Sequence, residues 1–513
     1  MSDVTFERVV YFGDSLTDQG ISFALTDQVL FLGVPFQAAG YSEWYSDGPV
    51  YSTYAAELLG IEDVETYAIA SARAVGSRSL QEFIDANLLT PLITPGADTG
   101  ILATDINLGA QVASFLAEGP IVPGTAVSLL IGLNDYNNFS PSTTDPLTTL
   151  AEAQALITDV VSNTLVAIGA LVAGGAETVI LNTLPESLFF PGSNLAPEAI
   201  QELGTFAIDA HNDALIAGAA SLSAEVKIID FQALSAEIMV DQQTFGFLAP
   251  LTSPKVLTAI PQISITDGIT VDVTENPLAA TLDDDQFAFL DFLHPTTALH
   301  GILGSFQAAS LTHETVFNQA VVGTGAERDL IFSGEAADQV ASGRKQDIVF
   351  AGLEDDMVTG QRARDILAGG AGNDTLRGGA GADVLAGGTG DDMLFGGRGA
   401  DVLIDGLGSD ISAGGLGSDT FVFVEAELIG GVTGTDNDEV RGGAGTDTLV
   451  MVLSAETRAT VEAGLSQSRF QVFETIGVEA RSIEEFVFVD SRADLADLEV
   501  NARLAEADLW GLI

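Results

Sequence analysis

Short apolar runs alternate with longer amphipathic stretches over roughly the first 310 residues. The apolar runs have the length and composition of strands that are buried on both faces. They are Val9–Phe12, Val127–Ile131, Val179–Asn182 and Val226–Asp230. Between them, residues 148–171 and 197–220 repeat Ala and Leu at helical spacing. The alternation predicts an α/β fold, a three-layer α/β/α sandwich around a parallel sheet.

Two segments interrupt this alternation. Ser22–Trp44 is rich in Phe, Leu and Val, and Phe247–Asp285 contains four prolines and a predicted hairpin turn at residues 266–268. Long irregular segments of this kind either cover a ligand site or pack as ordinary insertions. Both interpretations stay open for each segment.

A different period begins near residue 324. Aspartate recurs every nine residues, and an apolar residue follows two positions later in every unit except the one that has Ser412 there. These aspartates are Asp329, Asp338, Asp347, Asp356, Asp365, Asp374, Asp383, Asp392, Asp401, Asp410 and Asp419. From residue 369 glycines fill the units, and a further copy at 442–450 follows an insertion.

A nine-residue period with one apolar position predicts an all-β parallel β-roll, in which each unit forms a turn and a short strand. The glycines allow the positive φ angles of tight turns. Carboxylate and backbone carbonyl oxygens are hard ligands that suit Ca²⁺. The predicted calcium ligands are Asp374, Asp383, Asp392, Asp401, Asp410, Asp419 and Asp447. The alternative, a flexible Gly- and Asp-rich linker, would not keep the phase of the repeat.

The early units lack the full glycine pattern. In the unit that ends at Asp347, Ser342 and Lys345 occupy two glycine positions. We therefore expect the early turns to complete the stack but to bind calcium weakly or not at all. Asp405 replaces the first glycine of the unit that ends at Asp410, and this unit is expected to be intermediate.

Candidate catalytic residues lie where the predicted strands end. Ser15 follows the first strand through Gly13 and Asp14, at the sheet edge where open α/β sheets bind ligands. The same serine could instead cap the next helix. Asn134 follows the next predicted strand, and Asp291 precedes His294 by three residues, a spacing that lets the carboxylate fix the imidazole tautomer. The other histidines, His211, His300 and His313, lie in predicted helices and are interpreted as structural.

Composition narrows the function classes. A chain of 513 residues exceeds one ordinary core, and we place domains at 1–320, 321–450 and 451–513. The formal net charge of −55 disfavours nucleic acid and anionic membrane surfaces as partners. The absence of cysteine excludes disulfides and a thiol nucleophile. The apolar runs are too short to span a bilayer, so we expect that the protein is not an integral membrane protein. The N-terminus lacks an ordinary secretory signal.

The first domain resembles the GDSL, or SGNH-hydrolase, family of esterases and lipases. The resemblance rests on residues 12–18 (Phe-Gly-Asp-Ser-Leu-Thr-Asp), 132–135 (Gly-Leu-Asn-Asp) and 291–295 (Asp-Phe-Leu-His-Pro). It implies an SGNH-type α/β/α sandwich and a serine hydrolase that cleaves carboxylic acyl esters or lipids. Ser15 would be the nucleophile, His294 the base, Asp291 its orienting partner and Asn134 an oxyanion donor.

One block departs from the family. Residues 66–72 read Thr-Tyr-Ala-Ile-Ala-Ser-Ala, where the family usually has Asn-Tyr-Ala-x-Gly-Gly-Ala. The family glycine donates a backbone N–H to the oxyanion, and any residue except proline carries that N–H. Ala70 or Ser71 is therefore the expected donor. A polysaccharide deacetylase would use the same triad, and a calcium-binding surface protein with an inactive hydrolase domain is the alternative from another class.

The repeats resemble the RTX, or hemolysin-type calcium-binding, proteins. The resemblance implies Ca²⁺ as the cofactor and export by a type I secretion machinery that reads an uncleaved C-terminal signal, here within residues 451–513. The protein is then expected to be secreted and extracellular. The alternative for the same residues is a cap on the open end of the roll.

Overall fold

The protein is described by a computed structural model. The described residues are 6–19, 21, 49–86, 99–137, 139, 146–240, 242–256, 262–264, 270–272, 276–280, 282, 286–291, 294–317, 328–425, 437–454, 457–459, 461, 477–489, 495, 503–504, 507, 510 and 512. The chain forms two compact units, Met1–Ala236 with Ala249–Leu311 and Glu237–Leu248 with Thr312–Ile513. The predicted boundary between residues 320 and 321 lies outside the described residues.

A parallel five-stranded sheet forms the centre of the first unit, in the order β2-β1-β3-β4-β5. Its strands are β1 Arg8–Gly13, β2 Asp63–Thr66, β3 Thr125–Leu130, β4 Thr178–Asn182 and β5 Glu225–Ile229. Four of the five were predicted. Three of the four residues of β2, Asp-Val-Glu-Thr, are polar, which fits an edge strand in which no residue is fully buried.

Ten α-helices of the described chain connect and cover these strands. They are α1 Tyr51–Leu59, α2 Leu80–Ala86, α3 Thr99–Leu102, α4 Leu108–Ala117, α5 Leu133–Asn137, α6 Pro146–Ala173, α7 Pro191–Asn194, α8 Glu198–Ala219, α9 Phe231–Val240 and α10 Thr297–Thr312. Short 3₁₀ helices lie at Ser187–Phe189 and Pro277–Ala280. The long helices α6 and α8 confirm the two predicted helices.

The side chains of β1 show why helices cover both faces of the sheet. Val10 and Phe12 enter an apolar cluster with residues of α4, α6 and α8. Tyr11 lies on the opposite face, where its ring meets the edge of Tyr51 of α1 at 6.4 Å. The Tyr51 ring in turn contacts Phe231, the first residue of α9. Successive strand residues point to opposite faces, so one strand contributes to both helical layers. The predicted α/β/α sandwich is confirmed.

Helix α6 is long and apolar enough over Thr148–Ala173 to cross a membrane by length and composition, and no other helix of the described residues passes that test. It packs against α4 and α8, and its Val160, Ile168 and Leu171 are fully buried. These contacts are those of a core helix in a sandwich layer. Length and composition are weak evidence for membrane insertion in such a helix.

The two interrupting segments are described only in part. Ser22–Trp44 lies outside the described residues. Within the second segment, β6 Gln262–Ser264 pairs with β7 Thr270–Asp272 in antiparallel register. The pairing matches a hairpin around residues 266–268, although the predicted turn itself lies outside the described residues.

The repeats of the second unit form two parallel sheets of seven and nine strands. One sheet contains β10 Gln339–Gly343, β12 Met357–Arg362, β14 Thr375–Ala380, β16 Met393–Arg398, β18 Ile411–Leu416, β20 Asp438–Ala444 and β22 Val478–Arg481. The other contains β8 Glu314–Phe317, β9 Asp329–Phe332, β11 Ile348–Leu353, β13 Ile366–Ala371, β15 Val384–Thr389, β17 Val402–Leu407, β19 Thr420–Val424, β21 Thr448–Val452 and β23 Glu485–Val489. Successive nine-residue units alternate between the sheets, so one coil of the roll spans two units.

The repeated apolar residue fills the interior between these sheets. Leu367, Leu376, Leu385 and Leu394 are fully buried in one cluster that continues along the whole stack. Parallel register pairs each strand with the strand two units later, as in Leu367 with Leu385. The structure therefore confirms the predicted β-roll. The strands β22 and β23 extend both sheets beyond residue 450.

Candidate active site

Ser15 lies directly beyond the carboxyl end of β1, and its side chain is 6% exposed. Gly13 ends the strand, and a Cβ there would stand 2.3 Å from the carbonyl oxygen of Leu130. The Gln111 side chain accepts the Gly13 N–H at 3.1 Å and donates to its carbonyl oxygen at 2.8 Å. These contacts require glycine before the turn and hold the backbone that carries Ser15.

Loops that follow β1, β2 and β3 are tied together by carboxylates. Asp18 accepts the Ala70 N–H at 3.0 Å. Asp135 accepts the N–H groups of Ala74 at 2.8 Å and Val75 at 3.2 Å. Because β1 lies between β2 and β3, the three loops meet at the carboxyl ends of these parallel strands.

Asn134 contributes to this arrangement from the segment that follows β3. It lies in the short helix α5 and is 9% exposed. Its side-chain nitrogen donates to the carbonyl oxygen of Ala72 at 3.2 Å, which fixes the plane of the amide. An amide held in this way beside the β2 loop has the chemistry of an oxyanion donor.

Asp291 and His294 form a close pair. The carboxylate lies 3.0 and 3.2 Å from Nδ1 of His294 and also accepts the His294 backbone N–H at 2.7 Å. Burial alone would lower the pKa of His294, but the charge and hydrogen bond of Asp291, with a smaller contribution from Asp14, outweigh it and raise the pKa. The pairing places the proton on Nδ1 and leaves Nε2 as the nitrogen that can accept one.

Asp14 connects this pair to the serine turn. Its carboxylate interacts electrostatically with both His294 and Asp135. Burial raises the pKa of Asp14 to about 7, against the lowering effects of the Leu16 N–H and the charge of His294. Asp14, the residue before Ser15, is therefore within electrostatic range of His294 and of Asp135 in the helix that carries Asn134.

The remaining histidines of the described chain lie in helices or directly after one, and the charge of His294 contributes to the lowered pKa of His300. His211 in α8 and His300 in α10 are buried, and burial lowers the pKa of His211 to about 4 and that of His300 to about 3. Nδ1 of His211 lies 2.8 Å from the Tyr136 hydroxyl, and Nδ1 of His300 accepts the Tyr51 N–H. His313 follows the end of α10 rather than lying within it. Their contacts are those of packed helix residues.

The two expected oxyanion donors of the β2 loop differ in their backbone. The Ala70 N–H is donated to Asp18. Ser71 has a φ of 63°, a left-handed conformation that glycine adopts without cost. Ser71 therefore has a backbone conformation that is typical of glycine, although it carries a side chain.

A second candidate site runs along the roll as a ladder of aspartates. The backbone N–H of each repeat aspartate donates to Oδ1 of the aspartate one coil later, for example Asp374 to Asp392 at 2.7 Å and Asp383 to Asp401 at 2.8 Å. The predicted ligands Asp410 and Asp419 continue the ladder to Asp438 and Asp447 across a longer coil. The structure therefore brings all seven predicted calcium ligands into two lines.

Calcium fits the second oxygen of these carboxylates. Oδ2 is buried and makes no hydrogen bond within the described residues in Asp347, Asp356, Asp365, Asp374, Asp383, Asp392, Asp401, Asp419 and Asp447. Burial raises the pKa of Asp392 to about 9 and that of Asp374 to about 6. A buried carboxylate oxygen without a donor is costly unless a cation meets it. The repeat glycine leaves this space, since a Cβ on Gly369 would stand 2.2 Å from Asp374 Oδ2.

The ladder also includes aspartates outside the predicted ligand set, among them Asp365 and Asp438. Asp365 has the same setting as Asp374, because a Cβ on Gly360 would stand 2.4 Å from its Oδ2. Asp438 accepts the Asp410 N–H at 3.0 Å. The signals were present, since Gly360 precedes Asp365 by the spacing of the later units and Asp438 precedes Asp447 by nine residues. At Asp347, in contrast, Ser342 occupies the glycine position, and its hydroxyl donates to the Gly360 carbonyl oxygen at 3.4 Å.

Comparison with known proteins gives a family for each of the two regions. A model of the GDSL-like lipase/acylhydrolase family matches residues 9–306, more than half of the chain. The RTX calcium-binding nonapeptide repeat matches in four copies, at 350–385, 359–394, 386–421 and 432–450. A phosphatidylcholine-sterol acyltransferase of Aeromonas hydrophila is 24% identical over 340 residues, which cover 61% of this chain and 92% of that protein. The chain therefore belongs to the GDSL-like lipase/acylhydrolase family and carries RTX calcium-binding repeats after its catalytic domain.

Proposed function

We propose that the protein is a secreted serine ester hydrolase that cleaves carboxylic acyl esters through Ser15, His294 and Asp291. The observation that carries the proposal is the Asp291–His294 pair, whose imidazole interacts electrostatically with Asp14, the residue before Ser15. The carboxyl end of a parallel strand, where Ser15 lies, is the usual ligand site of such a sheet, and the electrostatic link through Asp14 supports the pairing of Ser15 with His294.

Ser15 attacks the ester carbonyl carbon while Nε2 of His294 takes the hydroxyl proton. Asp291 holds the Nδ1–H and stabilises the imidazolium. The tetrahedral intermediate collapses as His294 donates its proton to the leaving alcohol, which departs and leaves an acyl ester on Ser15. Water, deprotonated by His294, then attacks this ester and releases the carboxylic acid.

The oxyanion is stabilised by the Ser15 N–H, the Asn134 side chain and one N–H of the β2 loop. We assign the last donor to Ser71 rather than Ala70. The Ala70 N–H donates to Asp18, whereas the φ of 63° gives Ser71 the backbone conformation that the family usually reaches with glycine. Asp18 then holds the β2 loop in place through its hydrogen bond with Ala70, the residue next to Ser71.

Calcium would be held by the ladder carboxylates Asp374, Asp383, Asp392, Asp401, Asp410, Asp419 and Asp447, to which the structure adds Asp365 and Asp438. When bound, the ion neutralises carboxylates that otherwise repel each other across adjacent coils. The ladder itself fixes the spacing through the N–H to Oδ1 bonds. Far-ultraviolet circular dichroism with and without Ca²⁺ tests this role, since an unchanged spectrum would contradict it.

Secretion follows from the repeats by analogy with RTX proteins, which are typically exported by type I machinery. We propose that residues 451–513 carry the export signal, while β22 and β23 within this segment also complete the roll sheets. Full-length protein should appear in the medium of cells that have a type I exporter for RTX proteins. Retention in matched cells without the exporter is the expected control.

Hydrolysis of chromogenic acyl esters by the wild type and by Ser15→Ala tests the catalytic proposal. Turnover in the wild type and background rates in the variant are expected. A polysaccharide deacetylase would instead release acetate from acetylated glycans and leave longer acyl esters intact. A calcium-binding surface protein with an inactive domain would hydrolyse neither class.

Acyl transfer is a second candidate, favoured by the similarity to a phosphatidylcholine-sterol acyltransferase. The acyl group on Ser15 can pass to an alcohol as well as to water, with the same proton movements through His294. Phosphatidylcholine vesicles with and without a sterol distinguish the two reactions. Formation of a sterol ester indicates transfer, and free fatty acid alone indicates hydrolysis.

A further inference from the structure

Arg503 is the only Lys or Arg side chain among the described residues that is buried, with 5% of its surface exposed. It belongs to the C-terminal segment of the second unit. Its Nη2 donates to the backbone carbonyl oxygen of Asp365 at 3.2 Å. A guanidinium keeps its charge at any ordinary pH, and burying that charge is costly unless negative groups lie near it. The surroundings of Arg503 therefore have to supply negative charge.

Apolar residues of the same segment hold Arg503 in place. Leu504 and Ala507 are fully buried. The N–H of Trp510 donates to the carbonyl oxygen of Ala507, and the Trp510 ring lies 5.2 Å from the ring of Phe350. Phe350 belongs to β11 of the nine-stranded sheet. The segment therefore packs against the side of the roll that this sheet forms, and its buried residues fix the position of the guanidinium.

The negative charge beside Arg503 comes from one of the two aspartate lines. Asp365, Asp383 and Asp401 directly precede strands of the nine-stranded sheet, and N–H to Oδ1 bonds of 2.9 and 2.8 Å join them. Burial raises the pKa of all three carboxyls, and the charge of Arg503 lowers it in each. At Asp374 of the other line, burial and a neighbouring aspartate both raise the pKa. The positive charge of Arg503 is therefore placed along one line of the roll.

We propose that Arg503 is a built-in cation that takes over part of the role of Ca²⁺ along the line of Asp365, Asp383 and Asp401. The inference rests on the calcium role proposed above and adds a protein group to that site. A divalent and a monovalent cation about 7 Å apart repel each other enough, even in water, to weaken binding roughly fivefold to tenfold. This line should therefore bind calcium more weakly than the line that contains Asp374, and should depend on it less for folding.

Thermal unfolding of the full-length protein at increasing Ca²⁺ concentration tests the proposal, with circular dichroism following the calcium-dependent transition. Arg503→Gln removes the charge and should lower Tm most at micromolar Ca²⁺. At millimolar Ca²⁺ its Tm deficit relative to the wild type should shrink by about half or more, because ions then occupy the line that has lost its cation.

Two further variants separate charge from packing. Arg503→Lys keeps the charge, so its Tm should follow the wild-type dependence on Ca²⁺ even where it is lower throughout. Arg377→Gln is the matched control for the loss of one positive charge from the roll. Arg377 is exposed on β14 of the seven-stranded sheet and lies over the Phe395 ring, so this change should leave the calcium dependence of Tm unaltered.

The outcomes distinguish this proposal from the calcium role itself. If calcium raises the wild-type Tm but the deficit of Arg503→Gln is the same at every Ca²⁺ concentration, Arg503 only packs and hydrogen-bonds the Asp365 carbonyl. That result would overturn the built-in cation and keep the calcium role. A deficit of Arg503→Lys that shrinks with Ca²⁺ as in Arg503→Gln would also overturn it. A wild-type Tm that does not respond to Ca²⁺ would contradict the calcium role, and this inference with it.

Discussion

Replacing Gln361 and Ala363 with glycine should stabilise the calcium-loaded roll. Both residues have positive φ angles, 75° and 81°, which side chains other than glycine adopt at a cost. The positions one unit later are Gly370 and Gly372, with φ angles of 107° and 141°. The early repeat therefore forms the same turn as the later repeats, but with two non-glycine residues in strained backbone conformations.

The size of the effect follows from two opposing contributions. A residue with Cβ in a left-handed conformation costs roughly 1–2 kcal/mol, and a glycine costs about 0.5–1 kcal/mol in lost chain entropy. Each replacement should therefore gain about 0.5–1 kcal/mol, and the double variant Gln361→Gly, Ala363→Gly about 1–2 kcal/mol. For a unit of this size, each kcal/mol raises Tm by roughly 2–4 °C.

Thermal unfolding at saturating Ca²⁺, followed by circular dichroism, measures this shift. Ala341→Gly in β10 is the matched control, because its φ is not positive and glycine there should lower stability by about 0.5–1 kcal/mol. The reciprocal change Gly370→Ala should lower Tm, since its Cβ would stand 2.1 Å from the Gly352 carbonyl oxygen. If the double variant loses stability as Ala341→Gly does, the strain argument is wrong.

Three further changes test other parts of the account. Asp291→Asn should lower kcat by about 10³–10⁴ and move the acidic limb of kcat/KM to lower pH, because the carboxylate raises the pKa of His294; an unmoved limb in the pH–rate profile would contradict this role. The calcium-free roll should be more folded at pH 5 than at pH 8 by circular dichroism. Burial raises the pKa of Asp365 and of Asp392 to about 9, so above pH 4 the folded state binds more protons than the unfolded chain, and its stability falls as the pH rises. Adding Ca²⁺ at pH 8 should restore the folded spectrum. Equal spectra of the calcium-free roll at both pH values would contradict this pH dependence. Ser71→Gly should change kcat by no more than about threefold relative to the wild type, since the N–H and the left-handed backbone are both retained. A large loss of kcat would indicate instead that the Ser71 hydroxyl takes part in catalysis.

Much of the fold could be predicted because its strongest patterns are local. The buried strands β1, β3 and β4 each contain a short apolar run, and the roll repeats its acidic position over eleven units and its apolar position in all of them except at Ser412. The edge strand β2 was missed because its exposed residues are polar. Asp438 was missed because the insertion before it shifts the phase, and only the distance to Asp447 restores it.

The site divides in the same way. Ser15, Asn134, Asp291 and His294 have recognisable neighbours in the chain, so their candidacy needs no coordinates. The hydrogen bond from Ala70 to Asp18 and the electrostatic interaction between Asp14 and His294 depend on which loops meet beyond the sheet. The choice between Ala70 and Ser71 depends on a hydrogen bond and a φ angle. Neither can be read from residue types alone.

Loss of ester hydrolysis on a single atomic change at Ser15 is the most direct test of the central claim. The measurement is kcat/KM for a chromogenic acyl ester with Ser15→Ala, using protein whose calcium-loaded circular dichroism spectrum matches that of the wild type. The account predicts a fall of at least about 10³-fold. A variant that retains the wild-type rate would contradict the assignment of Ser15 as the nucleophile.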